Sequence, residues 1–328
     1  MVTKTLLSPE LVSLIGLLVL IGIIQAMSGS FFTKGEISGV TLDMSTIGLI
    51  GVGVTILMIS GEFDLSVETT AALAGIVMAE LITTDHLNPW LSALVALGVS
   101  GVVGLINGVI TVVFRIPSFI ATLGMFYVLG AVNFVITNGN EIELFGHGAI
   151  FSLLGGQPGG LPFGATFIWM LGIAIIGIVM LTFTRFGSWT FAAGSKGGRS
   201  AEMIGVPVRR VKLTNFVLCS TLAGLAGLTG VAQFGSVSSG FASGDSLVAI
   251  VATVVGGTPL VGGRGSVQGT IVGSALVAVL GTGLILVGAP GSWYTGIIGI
   301  LLIVAVIFNV RAGRIGNVLA IARADRSR

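Results

Sequence analysis

The chain has 328 residues, 54% hydrophobic and 9% charged, with a formal net charge of +2. Soluble domains carry about a quarter charged residues, so this composition cannot build a water-covered surface. Fifteen scattered basic residues form no basic face for phosphates, which excludes nucleic-acid binding. The single cysteine, Cys219, excludes a disulfide framework.

A bilayer-spanning helix needs about twenty apolar residues. In chain order, the apolar runs predict spans near residues 8–28, 45–60, 66–83, 90–113, 117–137, 163–183, 213–233, 244–257, 267–287 and 293–310. The first run, Leu11–Met27, can span and has no small-residue cleavage site behind it. It therefore reads as a span and not as a cleavable leader. The second, third and eighth are short or broken by glycine. The expected fold is all-α, a polytopic transmembrane bundle of about ten spans in one membrane domain covering 1–328. Fifty-two glycines suit closely packed membrane helices.

Basic residues test this count, because cytoplasmic loops are enriched in Lys and Arg. With ten spans and a cytoplasmic amino terminus, fourteen of the fifteen basic residues fall inside and Lys34 alone outside. Both termini are then cytoplasmic.

Two connections are long. The outside segment 138–162 is glycine-rich and holds either a short surface helix or a linker. The inside segment 184–212 carries six of the fifteen basic residues. Within it, Ser200 or a preceding glycine can start a short helix, which Gly205 and Pro207 would stop. Met203 and Ile204 would then be exposed, and exposed apolar side chains in a basic segment suggest docking to a partner. The alternative is a membrane-surface turn whose arginines hold lipid headgroups.

Ionisable residues inside a membrane are costly and mark functional candidates. The densest group is Gly61-Glu62-Phe63-Asp64-Leu65-Ser66-Val67-Glu68, between two short spans. A helix starting near Leu65 would put Asp64 and Glu68, four apart, on one face. Carboxylates accept hydrogen bonds from hydroxyl donors, whereas Asp64 or Ser66 could also simply cap the next helix, with Glu68 in its first turn. Asn107, Asn133 and Gln233 are further amides in apolar runs, suited to binding helix to helix. Gly244-Asp245-Ser246-Leu247 in the second half faintly echoes Glu62-Phe63-Asp64-Leu65-Ser66 in the first, and transporters are often built from repeats.

Catalytic chemistry is absent from the pattern. No Gly-Lys-Ser/Thr exists to hold ATP phosphates, the two histidines His86 and His147 are far apart, and there is no Gly-x-Ser-x-Gly. The chain is expected to be no enzyme, to bind no metal and no cofactor, and to rely on another subunit if ATP drives it.

Over nearly its whole length the chain resembles the permeases of ribose-type sugar ABC importers. The resemblance is carried by Gly61–Val67, Gly104-Leu105-Ile106-Asn107-Gly108, Ile116–Gly124, Ala249–Ala252, Val255–Leu260 and Gly262–Ser266, in that order. It departs from the family pattern at Glu62, Glu68, Lys196 and Ser246. The resemblance implies a multi-pass protein of the bacterial inner membrane that works as a homodimer in membrane lipid. Its partners would be a second permease copy, a cytoplasmic ATP-binding subunit and a periplasmic sugar-binding protein. Asp64, Ser66, Glu68 and Asn107 are then candidates for the substrate path. Gly194, Arg199, Ala201, Glu202, Met203 and Gly205 match the loop that couples to the ATPase. An importer permease for branched-chain amino acids or nucleosides, and an ATP-independent secondary transporter, remain open as alternatives.

Overall fold

The computed structural model describes residues 9–144, 148–159, 161–194 and 198–308. His147, Lys4, Lys196, the side chain of Arg199 and the basic residues from Arg311 onward, all used in the sequence reading, lie outside the described residues. The described chain is almost entirely helical. The helices are α1 Pro9–Ser28, α2 Lys34–Ile59, α3 Val67–Thr83, α4 Pro89–Val112, α5 Ser118–Thr137, α6 Ala149–Gly155, α7 Ala165–Phe183, α8 Arg185–Gly194, α9 Gly198–Met203, α10 Val208–Phe234, α11 Asp245–Val255, α12 Val267–Leu286 and α13 Ser292–Phe308.

Each of the ten apolar runs coincides with a helix. Seven of these helices are long and apolar enough to cross a membrane, while α3, α11 and α13 are shorter. The second run was expected to begin at residue 45, but α2 starts at Lys34 because Thr33 caps it, accepting from the Glu36 N–H. The 138–162 segment contains α6, whose Ile150, Phe151 and Leu154 are buried beside α10. Two two-residue strands, β1 Ile142–Glu143 and β2 Ser236–Val237, pair antiparallel beside it.

Helix α2 is apolar all round, and every residue from Ile47 to Ile59 is buried, as expected of a helix in the centre of a bundle. Around it pack α12, α10, α7 and α11, while α10 also packs on α4 and α3. Lipid is as apolar as leucine, so these helices gain from close fit and not from expelling water. Glycine permits that fit. A methyl group at Gly104 would lie 2.5 Å from the Phe216 carbonyl oxygen, and one at Gly227 would overlap the Ala71 carbonyl oxygen. Buried hydroxyls add polar contacts: Thr55 of α2 meets Thr253 of α11 at 3.3 Å and also touches Thr270 of α12.

Contacts between connections place the helix ends. Gly263 N–H donates to the Ile59 carbonyl at 2.8 Å, Lys212 pairs with Glu62 at 2.6 Å, and Ser266 donates to Glu10 at 3.0 Å. The start of α1, the end of α2, the start of α10 and the loop before α12 therefore share one end, called here the basic end. At the other end Thr41 donates to the Pro162 carbonyl, and Leu144 N–H to the Gly235 carbonyl.

Replacing Gly104 with valine should overpack the α4–α10 crossing and cost about 1–3 kcal/mol, lowering the melting temperature of the purified protein in detergent. Gly124→Ala, with nothing within 4 Å of the new carbon, should leave it unchanged. Equal melting temperatures for both variants would contradict this packing.

Candidate functional site

The site grows from a break in the helices. Gly61, at φ +83, ends α2 with a backbone conformation that side-chain-bearing residues rarely adopt. Residues 62–66 then run non-helically from the basic end into the bundle, where α3 begins. Such backbone is tolerated at membrane depth only when protein satisfies its polar groups, and here it does. Ser118 and Thr122, one turn apart on α5, accept from the N–H groups of Phe63 and Leu65, each at 3.1 Å. Asp64 Oδ1 accepts from the Ser66 N–H at 2.8 Å and from its hydroxyl at 2.6 Å.

Asp64 also ties the break to neighbouring helices. Its Oδ2 accepts from Asn107 Nδ2 of α4 at 3.3 Å and from Ser220 Oγ of α10 at 3.2 Å. Asn107 Nδ2 donates to Ser66 Oγ at 2.9 Å as well. Asp64, Ser66 and Asn107 thus meet in one knot, fully buried. The Asn133 amide does what the sequence suggested for such groups, donating to the Thr69 carbonyl at 3.0 Å and joining α5 to α3.

Glu68 does something different from Asp64. Helix α3 starts at Val67 and not near Leu65, so the expected shared face does not form. Glu68 instead meets the start of α11, the segment that echoes its own. Its Oε2 accepts from the Gly244 N–H at 3.1 Å and from the Ser246 N–H at 3.0 Å. In return, Ser246 Oγ accepts from the Glu68 N–H at 3.2 Å and donates to the Leu65 carbonyl at 2.8 Å. A helix start leaves four N–H groups without internal partners. Here two helix starts face each other, and each supplies the other's cap. Gly244, at φ +94, makes the sharp entry possible. With eleven residues, α11 is about 16 Å long, roughly half the hydrocarbon thickness. It runs from this meeting point to the basic end, where Gly256 packs on Gly269.

Above the meeting point lies a cavity of about 260 Å³. Glu68 and Thr69 of α3, Phe126 and Tyr127 of α5, and Ser239 and Phe241 of the non-helical approach to α11 line it. Of the four candidate path residues, Glu68 is the one on this cavity. No group of three or more His, Cys, Asp or Glu suited to a metal occurs among the described residues.

The coupling candidates form a second, separate feature at the basic end. Helix α9 closes with Gly205 at φ +88, Gly205 N–H donating to Glu202 and Val206 N–H to Ala201, the paired bonds of a Schellman stop. Met203 and Ile204 are 87% and 80% exposed, whereas Ala201 is buried with Ala193, Val208 and Val211. Gly194, ending α8, abuts the Ile59 carbonyl so closely that no side chain would fit, and it lies beside Gly61 and Gly263. The exposed pair and the α2–α3 break therefore belong to one packed corner.

Sequence reasoning missed Ser118, Thr122 and Ser220. Ser118 and Thr122 sit within the Ile116–Gly124 motif, at the four-residue spacing that faces one side of a helix. Nothing local marks Ser220.

Comparison with known proteins matches the chain to transport permeases. The family described as "Branched-chain amino acid transport system / permease component" matches residues 36–306. The chain is 34% identical over 306 residues to the ribose import permease protein RbsC of Escherichia coli, covering 90% of this chain and 92% of that one. It is 31% identical over 294 residues to the xylose/arabinose import permease protein XylH of Sulfolobus acidocaldarius, covering 88% and 81%. It is 30% identical over 309 residues to the fructose import permease protein FrcC of Rhizobium meliloti, covering 91% and 84%. A helical membrane bundle with a broken helix pair at its heart, matched to permeases along almost its full length, belongs to this family of transport-system permease components.

Proposed function

We infer that the chain is the membrane-spanning subunit of an ATP-driven importer for a monosaccharide, seated in the bacterial inner membrane with its basic end in the cytoplasm. The observation that carries the mechanism is the packed corner. Met203 and Ile204 offer an exposed apolar contact, and the segment bearing them is rooted through Gly194 against Ile59 and Gly61, where the α2–α3 break begins. A separate ATPase that grips α9 would push on the hinge of the break. Movement there reaches Asp64 and Glu68 within a few residues, and hence the facing starts of α3 and α11. Parting those starts opens the route alternately to each side. Glu68 lines the route in this conformation, and Asp64, Ser66 and Asn107 come to it when the half-helices separate. A second copy of the chain and a soluble sugar-binding protein complete the assembly in this reading.

The sugar class is supported by the relatives named for ribose, xylose, arabinose and fructose. The family description points to branched-chain amino acids. The cavity favours sugar: its lining has hydroxyls, aromatic rings and one carboxylate but no Lys, Arg or His to receive an amino acid's carboxylate. Uptake into proteoliposomes carrying the permease, its ATPase and its binding protein decides among these. ATP-dependent uptake of D-ribose, D-xylose, L-arabinose or D-fructose is expected, and none of leucine. Uptake of leucine instead, or uptake by the chain alone on a proton gradient, would overturn the reading.

Three variants test the mechanism. Met203→Glu with Ile204→Glu changes exposed side chains only, so the protein should fold while uptake falls at least about tenfold, the loss of roughly 1.4 kcal/mol of docking. Undiminished uptake would remove α9 from the coupling route. Asp64→Ala leaves buried donors at Ser66, Asn107 and Ser220 unpaired, at about 1–3 kcal/mol each. It should lower the melting temperature, whereas Asp64→Asn, keeping one acceptor oxygen, should spare much of it. Equal stability of Asp64→Ala and the unaltered protein would show that the knot holds nothing.

A further inference from the structure

The cavity above Glu68 combines a carboxylate, hydroxyls and aromatic rings. It is built from three directions, with α3 supplying the floor, α5 one wall and residues 239–243 the other. Glu68, the floor residue, is 8% exposed, and among the described residues both hydrogen bonds to its carboxylate end on Oε2. A carboxylate only accepts hydrogen bonds, so it selects for donors. Tyr127 is 68% exposed, and Phe241 lies over Gly230, where a methyl group would collide with its ring. The two rings give apolar faces suited to the C–H faces of a pyranose or furanose, and Thr69 and Ser239 add hydroxyls.

The approach to α11 is shaped to hold this form. Phe241 N–H donates to Ser238 at 3.0 Å, Ser243 N–H to Gly240 at 3.2 Å and Asp245 N–H to Ala242 at 3.0 Å. These successive turns include Ala242 at φ +61, a costly conformation for a residue with a side chain. The volume of about 260 Å³ falls just below the ~300–1,000 Å³ of drug-sized ligand sites. That is room for one monosaccharide.

We propose that this cavity is a transit subsite for a neutral monosaccharide, in which Glu68 accepts from ring hydroxyls and the Tyr127 and Phe241 rings flank the sugar's C–H faces. The lining has a carboxylate and no cation, so sugar phosphates and sugar acids are repelled. This deepens the transport reading and rests on it.

The native chain eases the test, because Cys219, its one cysteine, is buried. In the assembled importer in proteoliposomes, Ser239→Cys is labelled with a membrane-impermeant maleimide. Labelling is timed with and without whichever of D-ribose, D-xylose, L-arabinose or D-fructose the unaltered importer takes up. The transported sugar should slow labelling about threefold, as two-thirds occupancy would, while glucose 6-phosphate should not. Leu153→Cys, on α6 outside this cavity, should label at the same rate with or without sugar. An unchanged rate at Ser239→Cys, or equal slowing at both positions, overturns the subsite while leaving the transport reading intact. If the unaltered importer takes up none of the four sugars, the transport reading fails and the subsite falls with it. Should Ser239→Cys not assemble, Ser243→Cys lines the same cavity and takes its place.

Discussion

Two helix starts buried face to face are an electrostatic problem, and its solution organises this protein. Each start of α3 and α11 exposes unpaired N–H groups and the positive end of a helix dipole. In lipid, such groups cost several kcal/mol each when left alone. Glu68 and Ser246 answer this by capping across the gap, Glu68 taking two N–H groups of the α11 start while Ser246 takes the Glu68 N–H. A capping box normally works within one helix. Split between two, it makes each helix start depend on the other.

Mechanical consequences follow from that dependence. The joint is made of a few hydrogen bonds between short elements, surrounded by a bundle whose other crossings are locked by backbone contact at Gly104 and Gly227. It is therefore the place where the bundle can part without unpacking its centre. The hinge at Gly61, the root at Gly194 and the exposed Met203 and Ile204 lie at one end of the same short route. The cavity lies at the other. A force at the basic end and an opening at the cavity need no longer path than residues 61–68.

Much of the fold was legible because membrane helices are written as long apolar runs. Ten runs gave ten helices, and their ends were misplaced chiefly where polar residues continue a helix, as in Lys34–Met44 of α2 and Val208–Lys212 of α10. The short α9 was readable from Gly205 and Pro207, since a left-handed stop needs glycine. At the site, Asp64, Ser66 and Asn107 stood out as polar residues in apolar surroundings, and the structure brings those three together. The echo between residues 62–66 and 244–247 joined segments that touch. Glu68 and Ser246, both departures from the family pattern, proved to be the touching pair. What could not be read was long-range: no local pattern says that Ser220 reaches Asp64, 156 positions away, or that Ser118 and Thr122 serve a backbone more than fifty residues earlier.

The shared cap is open to a double-mutant cycle on thermal or denaturant stability in detergent, using Glu68→Ala, Ser246→Ala and the pair. If the two residues cap one another, their effects should be coupled by about 0.5–3 kcal/mol. Additive effects, agreeing within about 0.3–0.5 kcal/mol, would mean that the two helix starts are held independently, and the account of the joint would fail.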